Sequence, residues 1–172
     1  MKNVIMLGFM GTGKSTVSKV IAERLGFKFV EMDEMIEARE GMTINEIFKT
    51  KGEGYFRNLE QDLVLELSQK GKQVISTGGG VVLNEQNINN FKEQGVLISL
   101  TATAEVIYTR VKNETQRPLL KTENPLKTIH DMLEYRMPFY EKADHLLDTS
   151  GLTIDKVVEE VFKILKSYRG KG

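Results

Sequence analysis

Short apolar runs alternate with amphipathic stretches along this chain, and that alternation sets the expected elements. Residues 4–7 (Val-Ile-Met-Leu) are continuously apolar, as a strand buried on both faces is. Residues 15–25 follow at helical spacing, with Val17, Val20, Ile21 and Leu25 on one side. A second strand is expected over 28–30, then helices over 33–40, 44–50 and 55–69, the last repeating Phe56, Leu59, Leu63 and Leu67. Residues 73–76 read as a third strand, ended by Gly78-Gly79-Gly80. Residues 87–92 are helical, 96–100 a fourth strand and 104–112 a helix. A polar stretch, 113–124, precedes a helix over 126–135. Leu146-Leu147 marks a weak last strand, and the closing helix carries Ile154, Val157, Val158, Val161, Phe162 and Leu165 on one stripe. This order predicts an α/β domain, a parallel sheet with helices on both faces, with ligands outside the carboxyl ends of the strands. No repeat or linker divides the chain.

Composition narrows the picture. At 172 residues, 40% apolar and 28% charged, the chain has the make-up of one globular domain. No apolar run approaches the ~20 residues that span a bilayer, and the first one is too short for a signal peptide. Cysteine is absent, which removes disulfides and thiolate metal sites and fits a reducing cytoplasm. Lys plus Arg equals Asp plus Glu at 24 each, so no global field attracts nucleic acid. Basic residues that matter must act locally.

The strongest chemical signal is Gly8-Phe9-Met10-Gly11-Thr12-Gly13-Lys14-Ser15, which fits G-x-x-x-x-G-K-[ST] between a strand and a helix. Glycines let backbone amides close around phosphate oxygens, and the helix start favours the same anion. Lys14 supplies a mobile charge for the β- and γ-phosphates, and the Ser15 hydroxyl can serve Mg²⁺. A nucleotide site follows. Whether it belongs to a kinase or a switch depends on the rest of the chain.

Four further features bear on that question. Glu31 and Asp33 follow the second strand; one carboxylate could hold metal through water while the other accepts a hydroxyl proton. Asp33 also reads as a helix N-cap before Glu34-Met35-Ile36. Arg57 in Gly54-Tyr55-Phe56-Arg57 and Arg136 in Tyr135-Arg136-Met137-Pro138 suit a planar carboxylate, or are solvated helix charges. Gly78-Gly79-Gly80 marks either a ligand close to the backbone or a plain turn. The stretch 110–124, with Arg110, Lys112, Arg117, Pro118 and Lys121, suits a mobile lid over phosphates or a charged surface loop. His130 and His145 stand singly and read as structural.

Taken in order, the 8–15 loop, the Asp33 region, Gly54-Tyr55-Phe56-Arg57, Thr77-Gly78-Gly79-Gly80, Arg117-Pro118-Leu119-Leu120 and Arg136-Met137-Pro138-Phe139-Tyr140 resemble shikimate kinases across essentially the whole chain. The resemblance implies a three-layer αβα P-loop NTPase fold with a five-stranded parallel sheet in the order 2-3-1-4-5. It implies a single domain with a core around 8–15, a helical substrate-binding region at about 33–62 and a mobile lid at about 112–124. The implied activity is transfer of the ATP γ-phosphate to the 3-hydroxyl of shikimate by a cytoplasmic monomer. ATP is then co-substrate and Mg²⁺ cofactor.

By the same resemblance, Gly11, Thr12, Gly13, Lys14, Ser15, Thr16, Arg110 and Arg117 bind nucleotide, and Lys14, Asp33 and Arg117 are catalytic. Asp33, Arg57, Gly78, Gly79, Gly80 and Arg136 bind substrate. Ser15 holds the metal, with Glu31 and Asp33 acting through water. The family's usual Asp-x-Asp is here Glu31-Met32-Asp33, and Asp148-Thr149-Ser150-Gly151 on the adenine side is a looser match. A gluconate or nucleoside monophosphate kinase, and a non-catalytic binding module, are the alternatives.

Overall fold

The computed structural model describes residues 3–114 and 120–169. Five parallel strands are arranged in the order β2-β3-β1-β4-β5, as expected. They are β1 Asn3–Gly8, β2 Lys28–Glu31, β3 Gln73–Ser76, β4 Gly95–Thr101 and β5 His145–Asp148. The central strand β1 pairs with β3 (Val4 with Val74) and with β4 (Val4 with Val96). Every residue of β1 is buried, which is why it reads as an unbroken apolar run. The edge strand β5 alternates half-buried and exposed positions, so its apolar signal in the sequence is weak.

Side chains alternate across each strand and so build two cores. Val4 and Met6 face one side, packed with Val17 and Ile21 of α1 (Lys14–Leu25) and Val157, Val158, Val161 and Leu165 of α8 (Ile154–Arg169). Ile5 and Leu7 face the other. Their partners come from α2 (Met32–Glu40), α3 (Ile44–Lys51), α4 (Glu53–Ser68), α5 (Glu85–Gln94), α6 (Ala104–Val111) and α7 (Pro125–Tyr140). The result is three layers, with the larger helical layer holding the expected substrate region. No described helix is long and apolar enough to cross a membrane.

Local chemistry explains most element ends. Thr43 and Glu46 form a reciprocal capping box at α3, with the Glu46 amide donating to the Thr43 hydroxyl at 3.2 Å. Asn84, Thr103 and Asn124 accept backbone bonds at the starts of α5, α6 and α7, and Pro125 follows Asn124.

Two expectations need correction. Asp33 is not a helix cap: α2 starts at Met32 with Glu31 in the extended cap position, leaving Asp33 inside the first turn. The second is α7 itself, which runs through Pro138 to Tyr140 instead of stopping at Tyr135. A proline there cannot donate to the Glu134 carbonyl, a local cost that the buried Tyr140 side chain offsets by anchoring the last turn in the core. Arg117 and Pro118, in the expected lid, lie outside the described residues.

The Pro138 ring is exposed, so removing it costs little packing. Pro138→Ala restores a helical donor and is expected to raise stability by about 1–3 kcal/mol. A urea midpoint at or below that of the parent chain would contradict this account of α7.

Candidate active site

The connections leaving β1, β2 and β3, neighbours in the sheet, converge at the carboxyl end. After β1 comes the phosphate loop. Gly11 and Gly13 have φ of 71° and 90°, the left-handed region where a Cβ is penalised. Gly13 is also the N-cap residue of α1, and a Cβ on Gly11 would sit 2.8 Å from Val111. Within the loop the buried Thr12 hydroxyl donates to the Phe9 carbonyl at 2.8 Å. The Lys14 ammonium donates to the carbonyls of Gly8 (2.6 Å) and Phe9 (3.0 Å), which holds it over the loop. The start of α1 leaves orphan amides and a partial positive charge beside that ammonium.

Carboxylates arrive from β2. The Ser15 hydroxyl donates to Glu31 Oε2 at 2.6 Å and lies 3.4 Å from the Ser76 hydroxyl. Burial raises the Glu31 carboxyl above its usual range; the Ser15 and Ser76 hydroxyls oppose that shift, nearby Asp33 adds to it and Lys14 opposes it. Glu31 thus reaches the hydroxyl directly, using its extra methylene. This all-oxygen group suits a hard divalent cation.

The segment after β3 explains the three glycines sterically. Thr77 ties it to β1, its amide and hydroxyl both donating to the Met6 carbonyl at 3.2 and 3.0 Å. A Cβ on Gly78 would lie 2.8 Å from Asp33 Oδ1 and 3.2 Å from Glu60 Oε2. One on Gly79 would approach Arg136 Nη1 at 3.2 Å, and one on Gly80 would land on the Arg57 guanidinium. Gly80 has φ of −95°, so space and not backbone angle demands glycine. Each absent side chain leaves room for a charged group from another element.

Helices α4 and α7 complete that wall. Arg57 Nη1 donates to Glu60 at 2.9 Å, and Arg57 also contacts exposed Glu53 at 3.4 Å. The Arg136 guanidinium stands 5.7 Å from the centre of the Phe9 ring, so it stacks on the phosphate loop itself. The Tyr140 hydroxyl donates to the Gly79 carbonyl at 2.7 Å. Burial pushes that phenol up to about 12, which keeps it a neutral donor.

Sequence reading missed Glu60 and Tyr140. Glu60 is 2% exposed and occupies a core position of α4, between Phe56 and Leu63-Val64-Leu67. Leu59, expected on that stripe, is only half-buried. A glutamate at a helical position that periodicity assigns to the core was the available signal. Burial raises its carboxyl to about 7, against the pull of Arg57.

One cavity of about 400 Å³ joins these parts; Gly11, Lys14, Ser15 and Thr16 line it together with Glu31, Asp33, Gly78, Gly79, Glu114 and Arg136. Arg57 stands behind this lining, over Gly80. Arg110 lies apart on the flank, where it donates to the Gly11 carbonyl (2.9 Å) and to the buried Thr149 (3.2 Å). It thereby braces the phosphate loop against the segment after β5.

Fold and site together define a P-loop kinase that acts on small molecules. The chain belongs to the shikimate kinase family, whose profile (described as shikimate kinase) matches residues 10–166. It is 49% identical over 168 residues to the shikimate kinase of Thermodesulfovibrio yellowstonii, covering 98% of this chain and 95% of that one. The shikimate kinase of Caldanaerobacter subterraneus subsp. tengcongensis is 46% identical over 171 residues, 99% of this chain and 100% of that one. The solved shikimate kinase from Acinetobacter baumannii in complex with shikimate superimposes with a TM-score of 0.92 at 32% identity, covering 98% and 94% of the two chains. A gluconokinase from Sinorhizobium meliloti shares the fold at a TM-score of 0.56 and 13% identity over 99% and 97% of the chains, a likeness of fold alone.

The steric account of the glycines separates two substitutions. Gly80→Ala overpacks the wall and is expected to cost about 1–3 kcal/mol. Gly54→Ala, in α4 with nothing within 4 Å of the added methyl, is expected to gain about 0.5–1 kcal/mol. Urea unfolding of both variants measures the difference; equal midpoints would remove the crowding argument.

Proposed function

We propose that this chain transfers the γ-phosphate of ATP to the 3-hydroxyl of shikimate, giving shikimate 3-phosphate and ADP on the route to aromatic amino acids. The observation that carries this reading is the shared cavity, in which Lys14 of the phosphate loop faces the same space as Asp33 and Arg136. A triphosphate and a carboxylated polyol can meet there without crossing protein.

Roles follow from chemistry and position. Lys14 and the amides of residues 11–16 hold the phosphates, while Arg110, bonded to the loop, flanks the adenine side. Arg136 and Arg57 grip the substrate carboxylate, and Gly78, Gly79 and Gly80 let the ligand approach the backbone. Asp33 orients the attacking hydroxyl or takes its proton. Arg117, outside the described residues, is assigned to the phosphates by the family resemblance alone. Ser15, with Glu31 and Asp33 acting through water, would hold Mg²⁺, which would supply positive charge to neutralise the phosphates. Positioning and charge compensation supply most of the acceleration, since no covalent intermediate is required. The balance of charges and the cysteine-free sequence support a cytoplasmic enzyme with no nucleic-acid partner, and the family resemblance supports a monomer.

A coupled ADP-release assay with MgATP tests the reading directly: turnover on shikimate is expected, and turnover on gluconate or AMP without shikimate activity would reject it. Arg136→Ala is expected mainly to raise the shikimate KM, because a carboxylate grip acts in ground and transition states alike. An unchanged KM would take Arg136 out of the site. Asp33→Asn is expected to lose roughly 10²–10⁴-fold in turnover if the carboxylate acts as a base. A loss below about fivefold would leave it an orienting group.

A further inference from the structure

The charges in the substrate wall do not balance once an anionic substrate enters. Glu60 sits on the buried face of α4, bonded to Arg57 at 2.9 Å. The charged groups acting on it come from three helices: Arg57 from α4, Asp33 from α2 across Gly78, and Arg136 from α7. Glu53 meets Arg57 at its exposed rim, and the neutral Tyr140 lies near both arginines. Two guanidinium groups therefore face two interior carboxylates, Asp33 and Glu60. A substrate carboxylate gripped by the arginines makes three anions against two cations, in a space from which the ligand also displaces water. Uncompensated charge in such surroundings is relieved most readily by protonating the most deeply buried acid.

We infer that binding of the substrate carboxylate draws a proton from solvent onto Glu60, so that this chain takes up shikimate and a proton together. The inference rests on the shikimate reading above and goes beyond it. Its chemistry balances without any co-reactant: solvent supplies the proton, the Glu60 carboxylate becomes a carboxylic acid, and no other bond changes. Neutral Glu60 still offers its carbonyl oxygen to Arg57 as an acceptor, while the guanidinium's charge is left to the substrate.

The sign follows from linkage. In the free chain burial already holds the Glu60 carboxyl at about 7, so near neutrality about half of the molecules carry the proton. A bound carboxylate raises that value further. Below about pH 7 Glu60 is protonated both before and after binding, and affinity does not change with pH. Above it the proton must be collected, and affinity falls by up to about tenfold per pH unit until the raised value is passed.

Calorimetric titration of shikimate into the full chain at pH 7, in PIPES and in Tris, measures the proton directly. The expected result is a binding enthalpy that depends on buffer ionisation enthalpy, with uptake of about half a proton. Glu60→Gln keeps an acceptor for Arg57 but cannot titrate; it is expected to remove the buffer dependence and to flatten affinity above pH 7. Uptake that persists in Glu60→Gln would move the proton to another group and would overturn the proposal. Normal binding with a buffer-independent enthalpy in the parent chain would overturn it too. Should the variant fail to fold, the parent chain's affinity from pH 6 to 9 decides: a fall above about pH 7 supports the proposal and a flat profile ends it. Absence of any binding heat is a different failure, that of the shikimate reading itself.

Discussion

The site depends on one steric constraint, a stretch of backbone at residues 78–80 that carries no side chains. Asp33 and Glu60 pack against Gly78, Arg136 against Gly79 and Arg57 against Gly80, so groups from three helices converge on a surface only as thick as a peptide. Thr77 holds that surface to β1, and the Tyr140 hydroxyl fixes the Gly79 carbonyl from above. Since β1 also launches the phosphate loop, the same strand positions both halves of the site. Rigid elements on every side give the precision that phosphoryl transfer requires of its reactants.

The two halves also touch. Phe9, inside the phosphate loop, is 1% exposed and lies under the Arg136 guanidinium. Its ring serves as core packing and as a platform that keeps a substrate-side cation in register with the loop. Arg110 makes the corresponding contact on the nucleotide side, joining Gly11 to Thr149. The loop is therefore braced on both flanks by arginines, and its Lys14 is held by its own carbonyls.

Electrostatics in the wall favour function over stability. A glutamate at a core position of α4 costs desolvation that a leucine there would not, and Arg57 offsets only part of it. What the pair supplies is orientation: the Arg57 guanidinium is pinned by buried Glu60 at 2.9 Å and held more loosely by exposed Glu53 at 3.4 Å, which fixes its plane. Glu31 illustrates a gentler adjustment. Its longer side chain closes onto the Ser15 hydroxyl at 2.6 Å, so the change from aspartate is taken up within the oxygen cluster.

The amino-acid sequence alone determined the parallel α/β class, the order of elements and the phosphate loop. Those follow from short-range causes: side-chain periodicity, capping residues and glycines at positive φ. It also marked Asp33, Arg57, Arg136 and the three glycines as candidates, while leaving open whether each served a ligand or a helix end. Tertiary structure decided that they share one cavity, that Asp33 is no cap, and that α7 continues through Pro138 to deliver Tyr140. It alone put Glu60 inside the wall and showed that Gly78–Gly80 are small because charged groups occupy their space. Those facts join residues from 33 to 140, and contacts between elements so far apart in the chain leave no periodic trace in it.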